Sequence, residues 1–162
     1  LITRRSMVQI HPPLPFLLRK RFNPILRKIF EHTADAGIEV KGENLSEAFD
    51  EVSLAFTEII TGGNLPNLKS FHSIDLEGID LDNLLIRYIS HLIFLFDTEN
   101  FIVGSTNLQI IMDKNKKLKG KIHGEKYNEK KHGYGVEIKA ISYHMLNVSE
   151  GPPSKIKLIL DL

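Results

Sequence analysis

Cysteine is absent from the 162 residues, so neither disulfide bonds nor thiolate metal sites can form. This absence fits a reducing compartment. Long apolar runs are missing too. The run 16–18 (FLL) is far too short to span a membrane, and the apolar stretch 81–96 is interrupted by Arg87, Ser90 and His91. No association with a membrane is therefore expected.

Acidic residues are missing from the first 30 positions, which carry seven lysines and arginines. Prolines at positions 12, 13, 15 and 24 forbid a continuous helix there. We expect residues 1–28 to be a disordered, basic and proline-rich leader, and residues 29–162 to be the folded domain. A basic arm for nucleic acid, a targeting peptide or a misassigned start are the alternatives.

The remaining residues, 31–162, carry 14 basic and 20 acidic side chains, a net charge of −6. Phosphate groups would be repelled by such a body, so we expect no tight binding of nucleic acid. The overall hydrophobic content of 42% and the chain length suit one domain with a sizeable core.

Two helices are predicted from apolar residues that recur at helical spacing. The first begins after Asn44, a capping residue with Glu47 three positions on, and ends at Gly62-Gly63. The second begins near Asp80 or Asp82 and is apolar over most of its surface, so we expect it to be the central buried helix.

Alternating apolar and polar residues predict strands at about 37–41, 71–76, 101–112, 136–147 and 155–162, with a hairpin turn at 113–116. Between them, 125–135 is predicted to be a polar loop. Lys117, Lys119 and Lys121 form a row that we interpret as the wet face of an edge strand, with contact to RNA as the alternative. The expected fold is α+β, a two-layer arrangement of a mainly antiparallel sheet and two main helices.

The segment 32–37 (HTADAG) is a short polar stretch that launches a predicted strand. Thr33 and Asp35 can bond to nearby backbone amides and Gly37 permits a tight bend, so a turn is one interpretation. The other interpretation is that Asp35 is a hard-oxygen ligand for a cation. It would then need partners from elsewhere, since calcium and magnesium prefer several oxygens.

The end of the sequence offers such partners, because Asp161 precedes Leu162 and its terminal carboxylate. If Asp35 meets this end, three anionic groups converge and need a cation. Calcium and magnesium fit oxygen ligands better than zinc does. Lys139 is the best internal cation, although a surface salt bridge with Glu137 is the alternative. The spacing alone does not join these segments.

Three further polar residues receive no site role. His91 is interpreted as a core or rim histidine, Asp97 as part of a solvated helix end, and His32 is left unassigned.

Four pieces of the sequence together resemble the archease family, in order and over roughly residues 29–162: 30–35 (FEHTAD), 95–98 (LFDT), 135–144 (GVEIKAISYH) and 158–162 (LILDL). The resemblance implies a compact α+β protein of the cytoplasm that activates the RtcB-type tRNA-splicing RNA ligase. In that family the ligase joins RNA ends through a guanylylated histidine. Archease promotes the guanylylation and so permits multiple turnover, without an established reaction of its own.

The resemblance also implies a calcium-type site built from Asp35, Asp161 and Leu162, with magnesium or manganese as alternatives. It further implies a role for Lys139 in activation. Two other functions compatible with the same residues are a metal-dependent phosphoester hydrolase and a chaperone-like interaction module whose ion only fixes the C-terminal strand.

Overall fold

The structure is a computed structural model that describes residues 27–32 and 35–162. Within these residues the chain forms seven strands and three helices: β1 (Arg27–His32), β2 (Asp35–Gly42), α1 (Leu45–Thr61), β3 (Ser70–Gly78), α2 (Leu81–Glu99), β4 (Phe101–Met112), β5 (Lys116–Lys126), α3 (Glu129–His132), β6 (Ala140–Ser149) and β7 (Ser154–Asp161). The predicted disordered leader lies outside the described residues, except that Arg27 and Lys28 belong to β1. The predicted bonding of Thr33 lies outside them as well.

The strands form two antiparallel sheets rather than one. The first sheet has the order β1-β2-β7-β6 and the second has the order β3-β5-β4. The predicted fold class, α+β with a mainly antiparallel sheet and two main helices, is confirmed. Among the described residues no helix is long and apolar enough to cross a membrane.

Helix α1, and not α2, is the central helix. It contacts β2 and β7 of the first sheet and β4 of the second, and most of its residues are buried. Thr57 fixes it to the second sheet, because its hydroxyl donates to the carbonyl oxygen of Val103 at 2.7 Å and accepts from the amide of Val103 at 3.1 Å. Helix α2 buries one stripe and leaves Phe94 53% exposed, so the prediction that α2 is central was wrong.

The helix starts were predicted correctly because each is encoded locally. The side chain of Asn44 accepts from the amide of Glu47 at 3.0 Å, and that of Asp80 accepts from the amide of Asn83 at 2.7 Å. Each bond satisfies an amide that the first turn of a helix leaves without a backbone partner.

The lysine row lies on a central strand, which corrects the prediction of an edge strand. Strand β5 pairs with β3 on one side and with β4 on the other. Lys119 and Lys121 are exposed, so the predicted wet face is confirmed, but they do not protect an edge.

Arg27, which was assigned to the leader, is buried in a network of ion pairs with α1. Its Nε and Nη2 donate to the carboxylate of Glu58 at 3.0 and 2.7 Å, and its Nη1 donates to Glu51. Burial disfavours the charged guanidinium, but the bonds and charges of Glu58 and Glu51 outweigh it and raise the pKa of Arg27. The folded body therefore includes position 27.

We expect the substitution Arg27→Met to lower the free energy of unfolding by about 3 kcal/mol, because it leaves two buried carboxylates without this counter-charge. Urea unfolding followed by circular dichroism would measure the loss. Lys28→Met is the matched control, which removes the same charge from a half-buried neighbour. An equal effect of the two substitutions would contradict the structural role of Arg27.

Candidate functional site

The pairing of β2 with β7 brings two predicted site residues together. Asp35 lies directly opposite Asp161 in the antiparallel register. Side chains of directly opposite residues share one face, with Cβ atoms roughly 4.5–5.5 Å apart. The structure therefore joins Asp35 and Asp161, which lie far apart in the sequence. On the other side of β7, Ala140 of β6 is also opposite Asp161.

Lys139 and Leu162 complete the same corner of the first sheet. The Nζ of Lys139 donates to the main-chain oxygen of Leu162 at 2.9 Å, and its amide donates to the carbonyl oxygen of Asp161 at 2.9 Å. The ammonium of Lys139 thus lies against the end of β7. All four predicted site residues are close together, and we call Asp35, Lys139, Asp161 and Leu162 the carboxylate corner.

Strand β6 begins at Ala140 and not at Val136, so the prediction of a strand over 136–147 was wrong at its start. The amides of Gly135 and Val136 donate instead to Ile60 and Ile59 at the end of α1. Lys139 is consequently outside the strand, in a segment fixed at both ends by backbone hydrogen bonds.

Gly37 has a role other than the predicted bend. It lies inside β2, opposite Phe30 of β1, and a Cβ at this position would clash with the Phe30 ring. Glycine therefore lets the ring lie across β2 next to the carboxylate corner. The start of β2 at Asp35 also shows that the strand begins two residues earlier than predicted.

The electrostatics of the corner are compatible with a cation, either the ammonium of Lys139 or a bound ion. Two carboxylates on one face of a sheet, directly opposite each other, repel. Asp35, Asp161 and Leu162 are half-buried and Lys139 is exposed, so the corner is open to an ion and to a partner.

The donor set fits a hard cation. Two carboxylates and the main-chain oxygen of Leu162 are the oxygen ligands that calcium and magnesium prefer, whereas zinc prefers nitrogen and sulfur. Among the described side chains, those of 27–30 and 35–162, no three from His, Asp or Glu lie close enough to hold a metal. An ion at the corner would therefore need main-chain oxygen and water beside the two aspartates. Strand β1 places His32 opposite Asp35, but the side chain of His32 is outside the described atoms.

Asp97 and His91 do not join the carboxylate corner. Asp97 is exposed near the end of α2. His91 stacks on Phe94 of the same helix, with ring centroids 6.1 Å apart. Burial lowers the pKa of His91, helped by the charge of His72 and opposed by that of Glu99.

A second polar cluster, centred on Glu125, was not predicted from the sequence, where 125–135 was predicted to be a polar loop; the end of β5 and helix α3 lie there instead. Glu125 is 5% exposed. Its carboxylate accepts from Lys131 Nζ at 2.6 Å, from His132 Nε2 at 2.9 Å and from the amide of Asn67 at 3.0 Å, and Lys69 Nζ lies 3.2 Å away. The cluster ties β5, α3 and the segment before β3 together.

The imidazole of His132 lies between Glu125 and Asn128. Because a carboxylate only accepts, Nε2 carries the proton that is donated to Glu125, while Nδ1 lies 2.9 Å from the amide nitrogen and 3.1 Å from the carbonyl oxygen of Asn128. Burial raises the pKa of Glu125, but the bonds from Lys131, His132, Asn67 and Lys69 outweigh it and hold the pKa well below its usual range. No sequence spacing signals this cluster, since its members come from three segments.

We expect Glu125→Gln to lower the free energy of unfolding at pH 7 by about 2 kcal/mol, because charge-assisted hydrogen bonds are lost. The folded pKa is depressed, so the contribution of Glu125 is present above its unfolded pKa of about 4.3 and is lost as the pH falls further. The difference between the two proteins should therefore shrink between about pH 5 and pH 2. Urea unfolding across this range would measure it, with exposed Glu137→Gln as control. A pH-independent difference would contradict the role of the charge.

Comparison with known proteins places this chain and its fold in a family. Residues 28–162 match the model of the Archease protein family (MTH1598/TM1083). The chain is similar to "Protein archease" of Sulfolobus acidocaldarius, with 35% identity over 83% of this chain and 97% of the relative. It is also similar to "Protein archease" of Pyrococcus furiosus, with 36% identity over 78% of this chain and 89% of the relative.

A solved structure agrees with these matches. The solution structure of Methanobacterium thermoautotrophicum protein 1598 superposes with a TM-score of 0.65 at 28% identity and covers 83% of this chain and 96% of that one. The architecture is thus that of an α+β protein built from two antiparallel sheets and two main helices. The chain belongs to the archease family, as the sequence motifs predicted.

Proposed function

We propose that this chain is an accessory protein that activates an RtcB-type tRNA-splicing RNA ligase in the cytoplasm, by promoting guanylylation of the ligase and multiple turnover. Membership of the archease family supports the proposal. The observation that carries it is the carboxylate corner, where Asp35 pairs with Asp161 and Lys139 binds the main-chain oxygen of Leu162.

Two properties of the corner support a contact with the nucleotide centre of the ligase. Lys139 is exposed, and an ammonium group has three donors, so it can bind Leu162 and a phosphate oxygen together. Asp35, Asp161 and the main-chain oxygen of Leu162 would hold the ion, for which calcium is the first candidate and magnesium or manganese are the others. A bound divalent ion supplies positive charge for phosphate oxygens, which stabilises the charge that develops when a nucleotide is transferred.

The residues of this chain would therefore orient the phosphate oxygens of the nucleotide and neutralise their charge. The nucleotide transfer itself would take place on the ligase. Preorganised positive charge near a reacting phosphate lowers the barrier because it needs no rearrangement as the reaction proceeds. Lys139 meets this condition, since its amide is anchored on Asp161 and its ammonium on Leu162. The ligase would hold the RNA ends that react, because the net charge of −6 in residues 31–162 disfavours tight binding of RNA by this chain.

We expect calcium to raise the melting temperature of the protein, by an amount that corresponds to about 2.7 kcal/mol when the ion is present at 100 times its dissociation constant. Asp35→Asn should abolish the rise, because an amide replaces a charged ligand. Differential scanning calorimetry with calcium, magnesium and manganese would measure the effect and rank the ions. Asp113→Asn, in the exposed β4–β5 turn, is the matched control. If calcium raises the melting temperature of Asp35→Asn as much as that of the native protein, the ion does not bind at this corner.

The activating role is tested by RNA ligation under multiple turnover, with a purified RtcB-type ligase, manganese and GTP. The protein should restore multiple turnover, and Asp35→Ala, Asp161→Ala and Lys139→Ala should each reduce the stimulation by about 10-fold or more. Asp113→Ala and Lys155→Ala are controls of the same charge, and melting curves would verify that all variants fold. Full stimulation by all three variants would contradict the site. Hydrolysis of phosphoesters by the protein alone, lost in Asp35→Asn, would favour a hydrolase instead.

A further inference from the structure

The lysine row on β5 calls for an explanation other than protection of an edge. Leu118 and Ile122 point into the core and are fully buried, while the alternate residues Lys119 and Lys121 are exposed. Lysine often protects edge strands from unwanted pairing. Strand β5 is paired on both sides, so that reason does not apply here.

The charges of this row are compensated at one end only. Lys117 is opposite Glu77, and Lys119 is opposite Asp75, with which it forms an ion pair of 3.4 Å. Lys121 follows two positions further along β5, about 7 Å from Lys119.

Neutral side chains flank Lys121 across both neighbouring strands. It lies opposite Ser73 of β3 and opposite Asn107 of β4. The positive charge on this face is therefore least compensated at the Lys121 end.

An aromatic ring is exposed at the same end. Phe71 of β3 is 52% exposed on the outer face of the sheet. The Nζ of Lys121 lies 4.4 Å from the centroid of the Phe71 ring, and the ring of His123 lies 5.8 Å from it. An apolar ring beside a cation and hydrogen-bonding groups is the combination on which single-stranded nucleic acids stack and bind their phosphates.

We propose that the Phe71–Lys121 end of the outer face of sheet β3-β5-β4 binds single-stranded RNA. One base stacks on Phe71, Lys121 pairs with a phosphate, and Asn107 offers an amide to a base edge or a sugar hydroxyl. The choice of RNA over DNA rests on the proposed function, whereas the stacking and charge pairing do not. The acidic body keeps this contact weak, and the pairing of Lys121 with a phosphate makes it sensitive to salt.

Fluorescence anisotropy with a labelled 12-nucleotide single-stranded RNA, without any ligase, tests the proposal. We expect a dissociation constant in the micromolar range at low salt. Phe71→Ala should weaken binding by about fivefold or more, because one stacked base is lost. Lys121→Gln should reduce the slope of log K against log salt by about 0.7, because one phosphate contact is lost.

The chain offers matched controls for both substitutions. Phe94 on α2 has almost the same exposure as Phe71, at 53%, and Lys155 is an exposed lysine of the first sheet. Phe94→Ala and Lys155→Gln should leave the affinity and the salt slope unchanged. A DNA strand of the same sequence tests the choice of RNA, and equal affinity for both would overturn that choice.

The outcomes separate this proposal from the proposed function. The proposed RNA site is overturned if the protein does not bind RNA, or if Phe71→Ala and Phe94→Ala weaken the binding equally. Activation of the ligase is tested separately, by the ligation assay. Loss of ligase stimulation in Phe71→Ala with no RNA binding by the native protein would assign the face to the ligase and also overturn the proposal. If the protein binds RNA through Phe71 and Lys121 but does not stimulate the ligase, the RNA site is established and the proposed function is refuted.

Discussion

The carboxylate corner depends on the register between β2 and β7. The pairs in this ladder alternate between a buried face and an outer face. Ala36, Ile38 and Val40 lie opposite Leu160, Leu158 and Ile156, and these six side chains are at most 2% exposed. A shift of one residue would turn a buried leucine outward and a charged aspartate inward. The hydrophobic core thus fixes the pairing of Asp35 with Asp161, although neither aspartate belongs to it.

The same core explains why α1 is central in spite of its polar residues. Four buried polar side chains of this helix have partners on neighbouring elements: Ser53 with Tyr88 at 2.6 Å, Thr57 with Val103, and Glu51 and Glu58 with Arg27. Periodicity identifies a helix and its apolar stripe. It does not reveal that the remaining face is also buried, because the partners come from β4, α2 and β1. Helix α2 has the more continuous apolar sequence but lies against only part of the fold.

The sequence predicts most where structure is encoded locally. The cap at Asn44, the cap at Asp80 and the alternation of 101–112 each involve neighbouring residues, and the helix starts and β4 agree with the structure. The sequence predicts less where the backbone of a segment can form hydrogen bonds with more than one distant element. Alternation continues through 136–139, yet the amide of Val136 bonds to α1 and not to a strand.

Glu125 shows the same limit for a buried charge. The residues next to it in the sequence are polar and predict a loop. The groups that donate to its carboxylate come from positions 67, 69, 131 and 132. For the candidate site, the residue types of Asp35, Asp161 and Lys139 could be selected from the sequence and the family motifs. Their proximity could not, because it follows from strand pairings that spacing does not encode.

The segment that carries Lys139 connects the corner to the end of the central helix. Gly135 passes so close to α1 that a Cβ would clash with the carbonyl oxygen of Ile59, and the amides of Gly135 and Val136 bond to Ile60 and Ile59. Four residues later the amide of Lys139 bonds to Asp161. The lysine therefore occupies a short bridge between two rigid supports, and its ammonium is positioned by the packing of α1 as well as by β7. A larger side chain at position 135 would displace this bridge while leaving every charged group of the corner in the sequence, so the geometry of the site is a property of the core as much as of its ligands.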